Sequence, residues 1–168
     1  VFFGCGSVCV AVTTGLPTGL LQVAIIWGLG IATAIYLTGS LSSAHLNPAV
    51  TIAAAAWSRF PARLVLPYIA AQMLGAFVAA ALLYVLYSGN IAAYETRLKI
   101  VRGLPGSEAS AMVFGEFFPN PCGAPLTQLA RETTTPVAAF APDVSGTCIR
   151  VLVLLRLPGE PHPPRPHR

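Results

Sequence analysis

Ser42 to Thr51 reads SSAHLNPAVT, and the apolar piece that follows, Ala49 to Trp57, is far too short to cross a bilayer. About ten residues of helix after Asn47 reach roughly 15 Å, half of a hydrocarbon core about 30 Å thick. Asn is a favoured N-cap, and Pro at the first helical position gives up only an N–H that would be unpaired anyway. Asn47-Pro48 therefore predicts a helix start placed mid-membrane, at the tip of a re-entrant half-helix. Irregular backbone is tolerated at that depth only where it is buried in protein or lines a water-filled cavity. The plainer reading is a capped helix under a surface loop, but this stretch offers no polar surface for one.

The flanking sequence supplies the membrane. Of 168 residues, 55% are hydrophobic and 10% charged, against about 25% charged in an average soluble domain. Mean hydropathy is +0.69. No Asp, Glu, Lys or Arg occurs from Val1 to Ser58 or from Leu64 to Tyr94, so these stretches cannot make a water-facing surface. Lipid is the expected solvent. The net charge of +4 comes from scattered basic residues without interleaved aromatics, which argues against a nucleic-acid partner. The cysteines Cys5, Cys9, Cys122 and Cys148 lack metal-ligand spacing, and Cys5 and Cys9, one helical turn apart in an apolar segment, read as small lipid-buried or packing residues. No metal site or cofactor is expected.

Outward from the motif, Leu20 to Thr38 is expected to span, Gly39 to Ala44 to be irregular, and Leu64 to Tyr87 to be the clearest span. Val1 to Thr14 reads as the end of a first helix that begins upstream of Val1, with Gly15 to Gly19 as a turn. Ser58 to Arg63 is a second turn around Pro61. Arg59 and Arg63 assign that side to the cytoplasm, leaving Ser88 to about Pro136 outside. Ala70 or Ala71 with Gly75 and Ala79 makes a small-residue stripe. It reads equally as a close helix contact or as the ordinary alanine content of such helices.

Ten of the fifteen prolines lie at or after Pro119. Val137 to Leu157 is a degraded span containing Pro142, Asp143, Arg150 and Arg156. An arginine at a helix centre costs about 2.5 to 3.5 kcal/mol for insertion, offsetting about six good apolar residues. That segment needs neighbours to insert. The closing PGEPHPPRPHR cannot form a core and is expected to be disordered.

The half-helix N-terminus carries about half a positive charge and repels cations. The Asn47 amide can donate to a passing hydroxyl. Ser43, Ala44 and His45, taken as extended, have carbonyls that can accept from the same molecule. Neutral hydroxyl-bearing solutes suit that arrangement. His45 alone more often means a packed, hydrogen-bonded ring. Trp27 has two readings on its own residues: a flat face for a carbon backbone, or an interfacial-belt tryptophan.

IIWGLGIATAIYLTGSLSSAHLNPAVTIA, LPYIAAQMLGAFVAAALLYVLY, IVRG and FFPNP together resemble the aquaporin (major intrinsic protein) family, in its glycerol facilitator branch, over about residues 1–121. The resemblance implies an all-α membrane bundle with a re-entrant half-helix, here the first repeat only. Asn47, Pro48 and Ala49 would be the pore-centre motif, Ser43, Ala44 and His45 the carbonyl ladder, and Trp27 a wall of the outer constriction. It implies passive diffusion of glycerol, water and similar neutral solutes, a homotetramer in the bilayer, and a cell membrane location. In domain terms, 1–121 is the first repeat, 122–157 a degraded fourth-helix region with Asp143 where the family has a buried glutamate, and 158–168 the tail.

The departures are specific. Ser43 stands where the branch commonly has glycine, and the first helix lacks the family's loop-holding glutamate. Helices five and six, the second Asn-Pro-Ala motif and the constriction arginine are not in the sequence, and one half cannot enclose a pore. A non-conducting membrane fragment is therefore the alternative. An enzyme is not expected, since no nucleophile-base pair, carboxylate pair or phosphate loop is present.

Overall fold

The computed structural model describes residues 1–14, 20–57, 60–118, 127, 132 and 135–156. Among the described residues six α-helices follow one another: α1 (Phe2–Thr14), α2 (Leu20–Ser42), α3 (Pro48–Trp57), α4 (Val65–Leu98), α5 (Glu108–Ala111) and α6 (Pro136–Arg156), with a 3₁₀ turn at Ala62–Leu64 before α4. No strand occurs among the described residues. Helices α2, α4 and α6 contain stretches long and apolar enough to cross a membrane, while α1 and α3 are shorter apolar helices. Leu21, Leu29, Leu66 and Phe77 on the long helices are all exposed, as lipid-facing side chains must be.

Helix α1 packs against α2 and α4, and α3 against α4 and α6. Two glycines let α1 and α2 meet. A Cβ on Gly30 would lie 2.7 Å from Cβ of Phe3, and one on Gly4 would overlap the Trp27 indole. The core at the other end joins Cys9 of α1, Ile91 of α4 and Val113 of the outer segment, with Val12 and Tyr87 around them. Cys9 thus serves as a small packing residue, as its apolar context suggests.

Two expected boundaries are corrected. Gly39 to Ser42 is helical rather than irregular. Ser43 N–H donates to Gly39 O at 2.9 Å, and the Thr38 and Ser42 hydroxyls back-bond to Ala34 O and Thr38 O at 2.7 and 3.2 Å. In an apolar setting the small polar residues have no water to compete for the backbone, so the helix runs on. Likewise α4 continues from Tyr87 to Leu98, so the connecting stretch after it begins at Lys99 and not at Ser88. Burial of Ile91 and Tyr94 outweighs the weak helix propensity of Ser88, Gly89 and Asn90. The helix stops at Lys99, left-handed at φ 54°, where Ile100 N–H reaches Glu95 O at 2.8 Å.

Beyond that stop, Arg102 folds back on α4. Its Nε donates to both Glu95 oxygens, at 2.9 and 3.1 Å, and Nη1 to the Tyr84 hydroxyl at 3.0 Å. The Glu95 side chain is only 12% exposed, whereas Arg102 is 54% exposed. A double-mutant cycle pairing Arg102→Ala with Glu95→Gln should give about 0.5 to 1 kcal/mol of coupling, shrinking as salt is raised. Arg102→Lys should recover little of it, because holding Glu95 through Nε and Tyr84 through Nη1 together needs the guanidinium fork. Thermal unfolding in detergent reads both.

Helix α6 starts one residue before the expected Val137. Thr135 Oγ1 accepts from Ala138 N–H at 3.2 Å, and Pro136 takes the first helical position. Pro142 lies inside the helix, where it removes one backbone bond. The expected turn at 15–19, Ser58 and Arg59 of the second turn, and the 158–168 tail lie outside the described residues.

Candidate functional site

Asn47 builds the start of α3. Its Oδ1 accepts the Ala49 N–H at 2.8 Å, and its backbone oxygen accepts from Thr51 N at 3.1 Å and Thr51 Oγ1 at 3.2 Å. With Oδ1 committed to the cap, the remaining function of the side chain is its NH₂, a pure donor. The preceding loop differs from expectation. Ser43, Ala44 and Leu46 are left-handed, at φ 57°, 42° and 52°, not extended. The chain must reverse between Ser42, where α2 ends, and Pro48, where α3 begins. So sharp a reversal uses conformations that cost an L-residue about 1 to 2 kcal/mol each.

Such strain persists only where surrounding structure imposes it, and α4 imposes it here. Tyr68 hydroxyl donates to Ser42 O at 3.1 Å and Gln72 Nε2 to Thr51 Oγ1 at 3.0 Å. His45 Nδ1 lies 3.2 Å from the same Thr51 oxygen. The His45 ring packs among Phe60 and Tyr68, with centroids 4.7 and 5.4 Å away. Among the described residues nothing donates to the carbonyls of Ser43, Ala44 or His45, so these acceptors stay available despite the changed backbone. Gln72 Oε1 is buried and without a partner among them.

A cavity of about 750 Å³ opens beside this loop. Trp27 and Thr33 of α2, His45 and Asn47 of the loop, and Gln72 and Gly75 of α4 are among its walls. Three of the seven sequence-derived site residues, Trp27, His45 and Asn47, therefore share one space; Ser43, Ala44, Pro48 and Ala49 shape the loop and α3 without lining it. The small-residue stripe also resolves. Ala71, Gly75 and Ala79 face the cavity, and a Cβ on Gly75 would meet nothing within 4 Å. Among the described residues nothing packs against Gly75, so the stripe leaves room there.

Sequence reasoning missed Thr51, Tyr68, Gln72 and Arg150. Gln72 carried a usable signal, an amide inside a 24-residue apolar run. Arg150 was read as an insertion burden on α6, yet it is half-buried and lines the cavity, the position an intramembrane charge is expected to seek. With the α3 N-terminus it makes the cavity electropositive, and no acidic side chain is among the described residues that line it. No cluster of metal-ligating side chains occurs among the described residues.

The profile of the major intrinsic protein family matches residues 1–142. The chain is 48% identical over 121 residues to the glycerol uptake facilitator protein of Haemophilus influenzae, covering 72% of this chain and 46% of that protein. It is 47% identical over 116 residues to the propanediol uptake facilitator PduF of Salmonella typhimurium (69% and 44% covered). It is 46% identical over 121 residues to the glycerol uptake facilitator protein of Escherichia coli K12 (72% and 43%). The chain spans less than half the length of these relatives. An all-α architecture, apolar helices of spanning length, a capped half-helix and a match over most of the chain agree: this protein is a membrane protein of the major intrinsic protein family.

Proposed function

We propose that the chain forms one half of a passive channel for small uncharged hydroxyl-bearing solutes, glycerol foremost, with water and related polyols. The observation that carries this reading is the Asn47 side chain, tied by its oxygen to the α3 cap and lining the cavity shared with Trp27. Its amide donates to a solute hydroxyl, His45 on the same cavity accepts, Ser43 and Ala44 shape the loop behind it, and Pro48 and Ala49 hold the half-helix tip. Trp27 offers a flat apolar face to the solute's carbons, leaving its hydroxyls for the polar side. The electropositive cavity disfavours cations. Transport on this reading needs no covalent step and no cofactor. The glycerol and propanediol facilitators among the relatives support the solute class, and family membership supports a homotetramer in the cell membrane.

Swelling of proteoliposomes in a glycerol gradient tests the reading. Vesicles carrying the chain should take up glycerol faster than protein-free vesicles. Equal rates would favour the second reading, a membrane fragment that only associates with other helices. Trp27→Phe should lower the glycerol-to-water permeability ratio about fourfold, the equivalent of one buried methylene of contact, ~0.8 kcal/mol. An unchanged ratio would remove Trp27 from the selectivity wall.

A further inference from the structure

We infer that Thr51 is a positioning residue that fixes His45 as the Nδ1–H tautomer, so that His45 presents an acceptor nitrogen to the cavity. Thr51 Oγ1 meets three polar atoms: Asn47 O at 3.2 Å, Gln72 Nε2 at 3.0 Å and His45 Nδ1 at 3.2 Å. A hydroxyl has one proton and two lone pairs. A carbonyl oxygen can only accept, so the contact with Asn47 O takes the single Thr51 proton. Both lone pairs then face outward to receive donors. The amide nitrogen of Gln72 is one, which leaves its Oε1 as the buried acceptor without a partner among the described residues. His45 Nδ1 is the other, and it must carry its hydrogen. The opposite tautomer would set two lone pairs against each other at 3.2 Å, or withdraw the proton from Asn47 O.

The consequence deepens the solute-pathway reading and rests on that reading only for its meaning in transport. With Nδ1 committed to Thr51, the nitrogen that a solute or water can engage is Nε2, which in this tautomer only accepts. His45 and Asn47 line the same cavity. Asn47 contributes a donor whose oxygen is committed to the cap, and His45 an acceptor whose donor is committed to Thr51. Together they match the two capacities of one hydroxyl group. The rings of Phe60 and Tyr68, themselves 5.0 Å apart, close a triangle with the imidazole and hold it in place.

Nitrogen-15 NMR of the uniformly labelled full chain in nanodiscs tests the assignment. It is recorded at about pH 8, above the ordinary imidazole value of ~6.5, with the His45 signals identified by their loss in His45→Phe. Wild type should show a protonated, pyrrole-type Nδ1 and a pyridine-type Nε2. Thr51→Ser should keep that pattern. Thr51→Val, nearly isosteric and without the hydroxyl, should shift both signals toward a mixture of tautomers. A pyridine-type Nδ1 in wild type would overturn the inference without any variant, as would an unchanged pattern in Thr51→Val. A merely structural role for Thr51 would change helicity without exchanging the two nitrogen signals. Because the spectrum does not depend on flux, the tautomer and the channel reading can each fail alone: wild-type vesicles that do not swell would leave the nitrogen assignment standing.

Discussion

Asn47→Ala is expected to destabilise the chain and to lower glycerol permeability together, whereas Asn47→Asp should separate the two effects. The Ala49 N–H now donates to Asn47 Oδ1 at 2.8 Å, and removing an Asn cap costs about 1 kcal/mol of helix stability. Alanine also removes the NH₂ donor from the cavity. Losing one hydrogen bond of about 1.4 kcal/mol from the highest barrier is about tenfold in rate. Aspartate keeps the cap acceptor, and its negative charge is favourable at the α3 N-terminus. It nonetheless has no donor to replace the amide, and it puts an anion into a cavity whose other charged lining residue is Arg150. The Asp variant should therefore unfold no earlier than wild type, pass glycerol about tenfold more slowly, and lose its discrimination against cations. Thermal unfolding in detergent reads the first effect, and vesicle swelling with a cation-sensitive dye reads the others. Wild-type glycerol flux in Asn47→Asp would place the solute path elsewhere.

The two halves of that prediction were not equally legible in the sequence. The cap is local: Asn47, Pro48 and Ala49 are consecutive, so their chemistry could be read without knowing what they touch. The clasp on the loop is not local. Tyr68 and Gln72 reach back 26 and 21 residues to Ser42 and Thr51, and no periodicity encodes such a contact. The left-handed Ser43, Ala44 and Leu46 follow from that clasp, which is why an extended strand of carbonyls was the natural expectation. The helix ends of α2 and α4 were misplaced for another reason. Gly-Ser and Ser-Gly-Asn read as breakers by propensities measured in water. In an apolar setting the backbone keeps its own bonds, and packing at Ile91 and Tyr94 carries α4 onward. Trp27 illustrates the limit from the other side. Its type suggested either a lipid belt or a solute wall, and what it packs against, Gly4 on α1, is a neighbour that nothing in the local sequence announces.

That neighbour gives the second large effect. Gly4 is buried, and a Cβ there would overlap the Trp27 ring, so Gly4→Ala must move the indole or part α1 from α2. Overpacking of this kind costs about 1 to 3 kcal/mol, against the ~0.5 to 1 kcal/mol that alanine returns inside a helix. Gly28, one residue beyond Trp27, provides the contrast: a Cβ there meets nothing within 4 Å. Gly28→Ala should be neutral or stabilising by about 0.5 to 1 kcal/mol. Tryptophan fluorescence separates them once the exposed Trp57 is replaced by Phe, leaving Trp27 as the single indole. Gly4→Ala should shift Trp27 emission and raise its access to a soluble quencher, while Gly28→Ala should change neither. If Trp27 forms the solute wall, Gly4→Ala should also lower the glycerol-to-water ratio as Trp27→Phe does, although the tryptophan itself is intact. An unmoved emission spectrum in Gly4→Ala would mean that α1 does not seat the indole. A moved spectrum with an unchanged ratio would mean that the indole is seated there for packing, and that selectivity is set by other residues of the cavity.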